Sequence, residues 1–201
     1  MIAIIDYGLG NVQAFKDVYN RLNIPVLIAK STKDLIGATK LILPGVGSFD
    51  HAILKLDESG MRKNIENLVL DKKIPILGIC VGMQMLAGSS EEGKLRGLGW
   101  IDATVRRFNS NDEIILPHMG WNSVNPKCCS KLFKNMEENI MFYFLHEYYF
   151  DAYKESDIEA TANYEGEYAC SIRRGNIFGV QFHPEKSHHF GMQLLKNFAE
   201  I

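Results

Sequence analysis

The sequence predicts an α/β fold with a doubly wound, mixed but mostly parallel sheet and a β-rich C-terminal half. Short apolar runs alternate with amphipathic helical patterns through the first half of the chain, which is typical of a parallel sheet covered by helices. After Gly97 the pattern becomes mainly β-like. A chain of 201 residues, 46% hydrophobic, is long enough for one core and short for two. Residues 1–201 are therefore expected to form a single domain.

Four strands and four helices are expected in the first half of the chain. The strands are short apolar runs, and the helices carry apolar residues at intervals of three and four. The expected strands are Ile2–Ile5, Val26–Ala29, Leu41–Leu43 and Ile74–Ile79, and the expected helices are Val12–Leu22, Ser48–Leu56, Met61–Leu70 and Val81–Ala87. This alternation is flavodoxin-like in character.

The second half is expected to be built mainly from β segments, with one closing helix. The β segments are Trp100–Phe108, Glu113–Leu116, Ile140–Phe150, Ile158–Tyr164 and Tyr168–Phe182, and the helix is Phe190–Ala199. Within the last β segment, the sequence Arg-Arg-Gly-Asn at 173–176 predicts a hairpin turn.

Composition argues against several function classes. The chain carries 22 basic and 24 acidic residues without blocks of like charge, which disfavours nucleic acid or an anionic membrane as the main partner. Ile74–Leu86, the longest mostly apolar run, is too short to span a bilayer. Residues 1–11 lack the basic region of a signal peptide, and the four cysteines show neither disulfide-framework nor zinc spacing. A cytoplasmic protein is therefore expected.

Neither a cofactor nor a metal ion is expected. Gly8 and Gly10 begin a G-x-G-x-x-G dinucleotide fingerprint, but Gln13 stands at its third glycine position. The neighbouring His188 and His189 could be imagined as metal ligands with Glu185, but adjacent side chains point apart in regular structure.

The segment Gly-Ile-Cys-Val-Gly at 78–82 follows a buried-looking strand and precedes a helical pattern. A nucleophile on such a strand-to-helix turn needs small residues two positions away on each side, and Gly78 and Gly82 supply them. The helix N-terminus lowers a thiol pKa and offers backbone N–H groups to an oxyanion. Cys80 is therefore a candidate nucleophile, with a buried structural cysteine as the alternative.

A possible base follows the last β segment, in the sequence Gly-Val-Gln-Phe-His-Pro-Glu at 179–185. His183 could exchange protons with the Cys80 thiol, and Glu185 could orient the imidazole. A surface loop with an ordinary His-Pro-Glu is the alternative. Cysteine, histidine and carboxylate together, each after an apolar strand, predict a catalytic triad.

These motifs, together with "DYGLGN" at 6–11, "PGVGSFD" at 44–50 and "HMGWN" at 118–122, resemble the class I glutamine amidotransferases over essentially the whole chain. Within that family the likeness is greatest to the glutaminase subunits of imidazole glycerol phosphate synthases. The resemblance implies that Cys80, His183 and Glu185 hydrolyse glutamine to glutamate and ammonia. It further implies an oxyanion site at Gly45, Val46, Gly47 and Val81, and glutamine binding by Gln84 and Glu92.

The resemblance also implies a partner, a (β/α)8-barrel synthase subunit that receives the ammonia in histidine biosynthesis. The residues implied at the interface are Asn11, Met119, Trp121 and Lys186. Glu147 departs from the family, which usually has serine there. The His-His-Phe-Gly run at 188–191 resembles paralogues that supply ammonia to surface-polysaccharide or nonulosonic-sugar synthases, so that pathway is an alternative. A free-standing cysteine hydrolase, active without a partner, is an alternative of another class.

Overall fold

The computed structural model describes residues 1–109, 115–136 and 138–201. Strands and helices alternate in the first half, and strands dominate the second. The strands are β1 (Ile2–Ile5), β2 (Val26–Ala29), β3 (Lys40–Gly45), β4 (Ile76–Cys80), β5 (Ser89–Ser90), β6 (Ala103–Arg107), β7 (His118–Ser123), β8 (Asn125–Pro126), β9 (Met141–His146), β10 (Tyr148–Ala152), β11 (Ile158–Asn163), β12 (Glu167–Arg174) and β13 (Ile177–Val180). The α-helices are α1 (Val12–Arg21), α2 (Phe49–Glu58), α3 (Arg62–Glu66), α4 (Val81–Gln84) and α5 (His188–Glu200).

One large mixed sheet forms the centre of the molecule, with strand order β2-β1-β3-β4-β13-β12-β10-β6-β5. The first five of these strands are parallel, and β12 and β10 continue the sheet antiparallel. From β1 the chain moves to one side to reach β2 and to the other to reach β3 and β4. Right-handed crossovers therefore place α1 and α2 on opposite faces of the sheet.

The parallel strands are buried because helices cover both of their faces. Strands β1 and β4 are buried along their whole lengths, which explains their nearly continuous apolar sequences. Helix α1 packs against α5, and α2 packs against α4. The carboxyl ends of β3, β4 and β13 meet at one edge of the sheet, where parallel α/β folds usually bind ligands.

The predicted fold class and the four expected strands of the first half are confirmed, with β3 and β4 shifted or lengthened by a few residues. The hairpin turn is also confirmed, since Arg174 pairs with Ile177 across a two-residue loop. The expected helix Met61–Leu70 is shorter, because α3 gives way to a widened turn at Asn67–Asp71. The expected helix Val81–Ala87 ends as α4 at Gln84.

The β-rich half differs more from the prediction. Ile140–Phe150 is two strands, because β9 pairs with β7 in a separate two-stranded sheet while β10 joins the large sheet. Strand β7 was not predicted at all. Of the expected strand Glu113–Leu116, residues 113 and 114 lie outside the described residues, and 115 and 116 are not in a strand. Across the described ranges, helices long and apolar enough to cross a membrane are not found.

Candidate active site

Cys80 lies at the end of β4, on the sharp turn into α4. Its backbone has φ +56° and ψ −117°, a strained conformation for a non-glycine residue that is typical of functional turns. The turn packs so tightly that a side chain at Gly82 would overlap the carbonyl oxygen of Leu43, and one at Gly78 would approach the Gly82 carbonyl oxygen to 2.6 Å. Both glycines are therefore required by close packing around Cys80.

His183 and Glu185 follow β13, the strand beside β4, so the shared edge of the sheet brings them to Cys80. Nδ1 of His183 and Oε1 of Glu185 are 2.9 Å apart, and both side chains are buried. Burial by itself lowers the pKa of His183. Hydrogen bonds and charge interactions with Cys80 and Glu185 outweigh burial and raise that pKa well above its usual range. The structure thus brings together the three predicted triad residues.

Strand β9 closes one side of this group through its backbone. The carbonyl oxygen of Tyr143 accepts a hydrogen bond from the backbone N–H of His183 at 2.9 Å. The carbonyl oxygen of Leu145 lies 3.9 Å from Sγ of Cys80, within reach of the thiol as donor. The positions of the sulfur and the imidazole therefore depend on β9.

A cavity of about 360 Å³ opens beside Cys80. This volume suits a small polar metabolite such as an amino acid. Its lining includes most of the residues predicted for catalysis and substrate binding, together with a wall from β9, β10 and the segment between them. The lining residues are Val46, Gly47, Cys80, Val81, Gln84, Glu92, Pro117, Leu145, His146, Glu147, Tyr148, His183 and Lys186.

The segment Gly45–Gly47 runs alongside the turn at Cys80, with Gly45 paired to Cys80 across β3 and β4. A side chain at Gly45 would collide with the backbone of Val81 and Gly82, so only glycine allows this approach. Val46 is 40% exposed, and Gly47 has φ +83°. Backbone groups of this segment and of Val81 therefore border the space in front of Cys80.

Gln84 and Glu92 both reach the cavity, and each is held by neighbours. Nε2 of Gln84 donates to the carbonyl oxygen of Tyr148 at 3.2 Å and to Oε1 of Gln181 at 3.0 Å. Oε2 of Glu92 accepts from the backbone N–H of Phe49 at 2.7 Å. Burial raises the pKa of Glu92, and Glu147 adds to this effect. Both side chains are fixed before any ligand arrives.

The family model for class I glutamine amidotransferases matches residues 3–201. The chain belongs to this family. It is 56% identical to the imidazole glycerol phosphate synthase subunit HisH of Bdellovibrio bacteriovorus and 52% identical to that of Leptospira interrogans, with 100% of each chain covered. A crystal structure of a glutamine amidotransferase is 19% identical and superposes with a TM-score of 0.75 over 100% of this chain and 99% of that one, which shows the shared fold.

In this amidotransferase, β7 and β9 form a small sheet with two different faces. Side chains at alternate positions point outward. The inward positions of β9 are buried, and on β7 His118 is buried whereas Asn122 is half-buried. Met119 and Trp121 on the outer face are 65% and 44% exposed. The outer face of the small sheet consists of Met119, Trp121, Met141, Tyr143 and Leu145.

The remaining predicted interface residues differ in their surroundings. Lys186 is exposed, and its Nζ lies 5.6 Å from the centre of the Tyr143 ring, next to the outer face of the small sheet. Asn11 caps helix α1 by accepting from the backbone N–H of Ala14. The unusual Glu147 borders the cavity and pairs with Arg107 at 3.3 Å.

The two histidines considered for a metal site have other contacts. His188 stacks on Trp121 with ring centres 5.2 Å apart, and His189 lies against Phe190. Within the part of the chain that the structure describes, groups of three or more His, Cys, Asp or Glu placed to hold a metal ion are not found.

Sequence reasoning missed three buried polar residues of this amidotransferase. Gln181 is fully buried, and its Nε2 lies 3.8 Å from Sγ of Cys80. His118 and His146 form a buried pair beside the cavity, with Nδ1 of His118 3.0 Å from Nε2 of His146. Gln181 and His146 interrupt otherwise apolar strand sequences, and a polar residue there must find a buried partner. That interruption was the available signal.

Proposed function

We propose that this chain is the glutaminase subunit of imidazole glycerol phosphate synthase and supplies ammonia for histidine biosynthesis. The observation that carries the proposal is the meeting of Cys80, His183 and Glu185 beside an amino-acid-sized cavity in a chain 56% identical to a HisH subunit. We further propose that residues 1–201 act as one domain, and that the protein works in the cytoplasm with its biosynthetic partner.

The proposed reaction begins with attack by the Cys80 thiolate on the side-chain amide carbon of glutamine. A C–S bond forms, and the carbonyl electron pair moves to oxygen. His183 donates its proton to the amide nitrogen as the C–N bond breaks, so ammonia leaves and a glutamyl thioester remains. Water then adds to the thioester carbon while giving a proton to His183, and the C–S bond breaks to release glutamate.

The raised pKa of His183 supports its first role as an acid. At neutral pH an imidazole with this pKa holds its proton beside the sulfur, ready for the departing nitrogen. Glu185 accepts from Nδ1 and thereby directs Nε2 toward the reaction. Glu185 is accordingly proposed to orient His183 and to stabilise its charged form.

Backbone N–H groups are proposed to stabilise the oxyanion. The N–H of Val81 belongs to the first turn of α4, where helical amides lack an intrahelical acceptor. Gly45, Val46 and Gly47 provide the second side of this site, because their segment packs beside the turn at Cys80 and borders the cavity there. The positive φ of Gly47 lets the backbone turn there.

Gln84 and Glu92 are proposed to bind the substrate. The carboxylate of Glu92 suits the glutamine ammonium group. The amide hydrogens of Gln84 are directed to Tyr148 and Gln181, which leaves its carbonyl oxygen to accept from the substrate. Glu147 adds a negative charge at the rim that its pairing with Arg107 offsets.

The partner is proposed to be a (β/α)8-barrel synthase subunit that docks on the outer face of the small sheet. An exposed tryptophan and methionine with a neighbouring cation are typical of the anchors of protein interfaces. Lys186 is proposed to form an ion pair with the partner, and Asn11 to contact it through the loop before α1.

The decisive experiment measures glutamate release by the purified chain, alone and with its host's histidine-pathway barrel subunit plus that subunit's phosphoribulosyl substrate. Strong stimulation supports the proposal. Stimulation by a surface-sugar synthase instead would indicate that the chain works in that pathway. Glutamate release that is equal with and without a partner would favour a free-standing hydrolase.

The nucleophile is tested in the same assay with Cys80→Ala. We expect glutamate release to be lost, while the complex still uses free ammonium. Cys128→Ala, which changes an exposed cysteine, is the matched control and should retain activity. Retained activity in Cys80→Ala would show that another group is the nucleophile.

A further inference from the structure

The buried pair His118 and His146 belongs to a hydrogen-bond chain with a defined direction. Nδ1 of His146 lies 2.8 Å from the carbonyl oxygen of Tyr148, which can only accept, so this nitrogen carries a hydrogen. Nε2 of a neutral His146 is then an acceptor for Nδ1–H of His118, 3.0 Å away. Nε2 of His118 in turn accepts from Nδ2 of Asn122 at 3.3 Å. Each imidazole is thus a neutral Nδ1–H tautomer.

The surroundings of the pair favour this neutral state. Both rings are buried, and His118 stacks between Tyr164 and Phe144. Burial lowers the pKa of His118 to about 4 and that of His146 to about 3. The hydroxyl of Tyr168 lies 3.3 Å from Nε2 of His146 and supplies a further neutral partner. Burying the two neutral imidazoles costs free energy, because their polar nitrogen atoms are removed from water. Apolar side chains in the same place would not carry this cost.

The chain continues into the glutamine pocket. The Tyr148 carbonyl that accepts from His146 also accepts from Nε2 of Gln84. Gln84 donates as well to Gln181, whose Nε2 lies 3.8 Å from Sγ of Cys80. The histidine pair therefore contacts the same carbonyl that orients the Gln84 amide.

The other end of the chain lies on the strand that carries the outer face of the small sheet. His118 and Asn122 point inward from β7, while Met119 and Trp121 point outward from the same strand. His118 pairs with His146 across β7 and β9, as Met119 pairs with Leu145. A shift of β7 toward or away from β9 changes the His118–His146 distance directly.

We propose that His118 and His146 are positioning residues that fix the Tyr148 carbonyl, and through it the Gln84 amide, according to the position of strand β7. The pair would make glutamine binding respond to the barrel subunit on the outer face of the small sheet. This inference rests on the proposed function, since it concerns the same pocket and the same partner surface.

The kinetic test compares variants of the complete chain in complex with the barrel subunit and its substrate. His118→Phe keeps a ring between Tyr164 and Phe144 but removes both nitrogen atoms. We expect the KM for glutamine to rise about tenfold, within the usual range of coupling between sites, with a smaller change in kcat. His118→Asn retains a donor near the Nδ1 position and should recover most of the loss.

Tyr164→Phe is the matched control, because it preserves the stacking on His118 and removes only a hydroxyl that donates to Ile115. An unchanged partner affinity of His118→Phe verifies that the variant is folded. An unchanged KM in that folded variant overturns the inference. If the unmodified complex releases no glutamate, the proposed function fails instead, so the two failures are distinguishable.

A spectroscopic test measures which imidazole nitrogens carry hydrogen and does not depend on the glutaminase activity of any variant. Long-range ¹H–¹⁵N spectra of the histidine-labelled chain should show hydrogen on Nδ1 and none on Nε2 for His118 and His146. Signals are assigned by comparison with the His118→Asn variant. Hydrogen on Nε2 of either ring, or a charged ring at neutral pH, overturns the chain direction and with it the inference.

Discussion

Cys80 is held in a strained backbone conformation by its closely packed neighbours. The conformation holds the buried Cys80 at the end of β4, beside the cavity that His183 and the Gly45–Gly47 segment also border. Because the strain is maintained by packing, the glycines beside the cysteine matter for stability as well as for chemistry.

Gly82→Ala should lower the free energy of unfolding by about 3 kcal/mol, the upper end of typical overpacking costs. The new methyl group would overlap the Leu43 carbonyl oxygen, and both are held by backbone. Urea denaturation followed by circular dichroism measures the change. Gly166→Ala is the control, since its methyl group would meet no described atom within 4 Å. Equal stability of the two variants would contradict this account of the turn.

Glu185→Gln should lower the pKa of His183, because the carboxylate beside Nδ1 helps to stabilise the charged imidazole. Glutaminase activity should fall about 10⁴-fold, by analogy with loss of the carboxylate in other triads. An NMR titration of His183 measures the pKa. Glu155→Gln, at an exposed glutamate, should leave it unchanged. A pKa equal to that of the unmodified chain would exclude this electrostatic role.

The elements of the first half could be predicted because their signals are local. Strands such as β1 and β4 are buried on both faces, so a continuous apolar run identifies them. The signal at Cys80 is likewise local, because Gly78 and Gly82 stand two positions away on either side of it. Cys80 was found because it ends the buried strand β4, and His183 and Glu185 because they come shortly after the buried strand β13.

Strand β7 escaped prediction because its pattern is inverted relative to an ordinary surface strand. Its inward positions hold polar residues, the buried His118 and the half-buried Asn122, and its exposed positions hold Met119 and Trp121. The division of Ile140–Phe150 into β9 and β10 was equally hidden, since it depends on which sheet each half joins. Tertiary pairing decides both features, and single-sequence periodicity does not contain it.

The small sheet should make stability sensitive to mild acid through His118. Burial lowers the pKa of folded His118 to about 4, below the ordinary histidine value of 6.5, so between these pH values the unfolded chain binds a proton that the folded chain does not. The free energy of unfolding therefore falls as pH decreases from about 6.5 to about 4. In His118→Phe this decline should be less steep by about 1.4 kcal/mol per pH unit. Parallel curves from urea titrations would contradict the prediction.

At the scale of the whole molecule, the group formed by Cys80, His183 and Glu185 lies directly behind the exposed, mainly apolar outer face of the small sheet. Strand β9 belongs to both, since Tyr143 and Leu145 contribute side chains to the outer face and carbonyl oxygens to His183 and Cys80. A partner on this surface would thus lie one strand away from the reacting atoms.

Trp121→Ala should weaken association with the proposed barrel subunit at least tenfold, because exposed tryptophans that become buried in an interface are often its main anchors. Lys186→Glu should weaken association as well, by reversing a charge beside the same surface. Isothermal titration calorimetry measures both. Ile36→Ala changes an isoleucine that is 78% exposed in another part of the chain and should bind normally. Unaltered binding by Trp121→Ala would place the interface elsewhere.

The double use of β9 has a consequence for inhibition. Linkage between two binding sites is reciprocal, so any factor by which the partner alters the affinity of the pocket must reappear in the affinity for the partner when the pocket is filled. A glutamine-like electrophile that alkylates Cys80 would therefore change the affinity of the chain for its partner. An inhibitor directed at the sulfur would in this way also strengthen or weaken the complex.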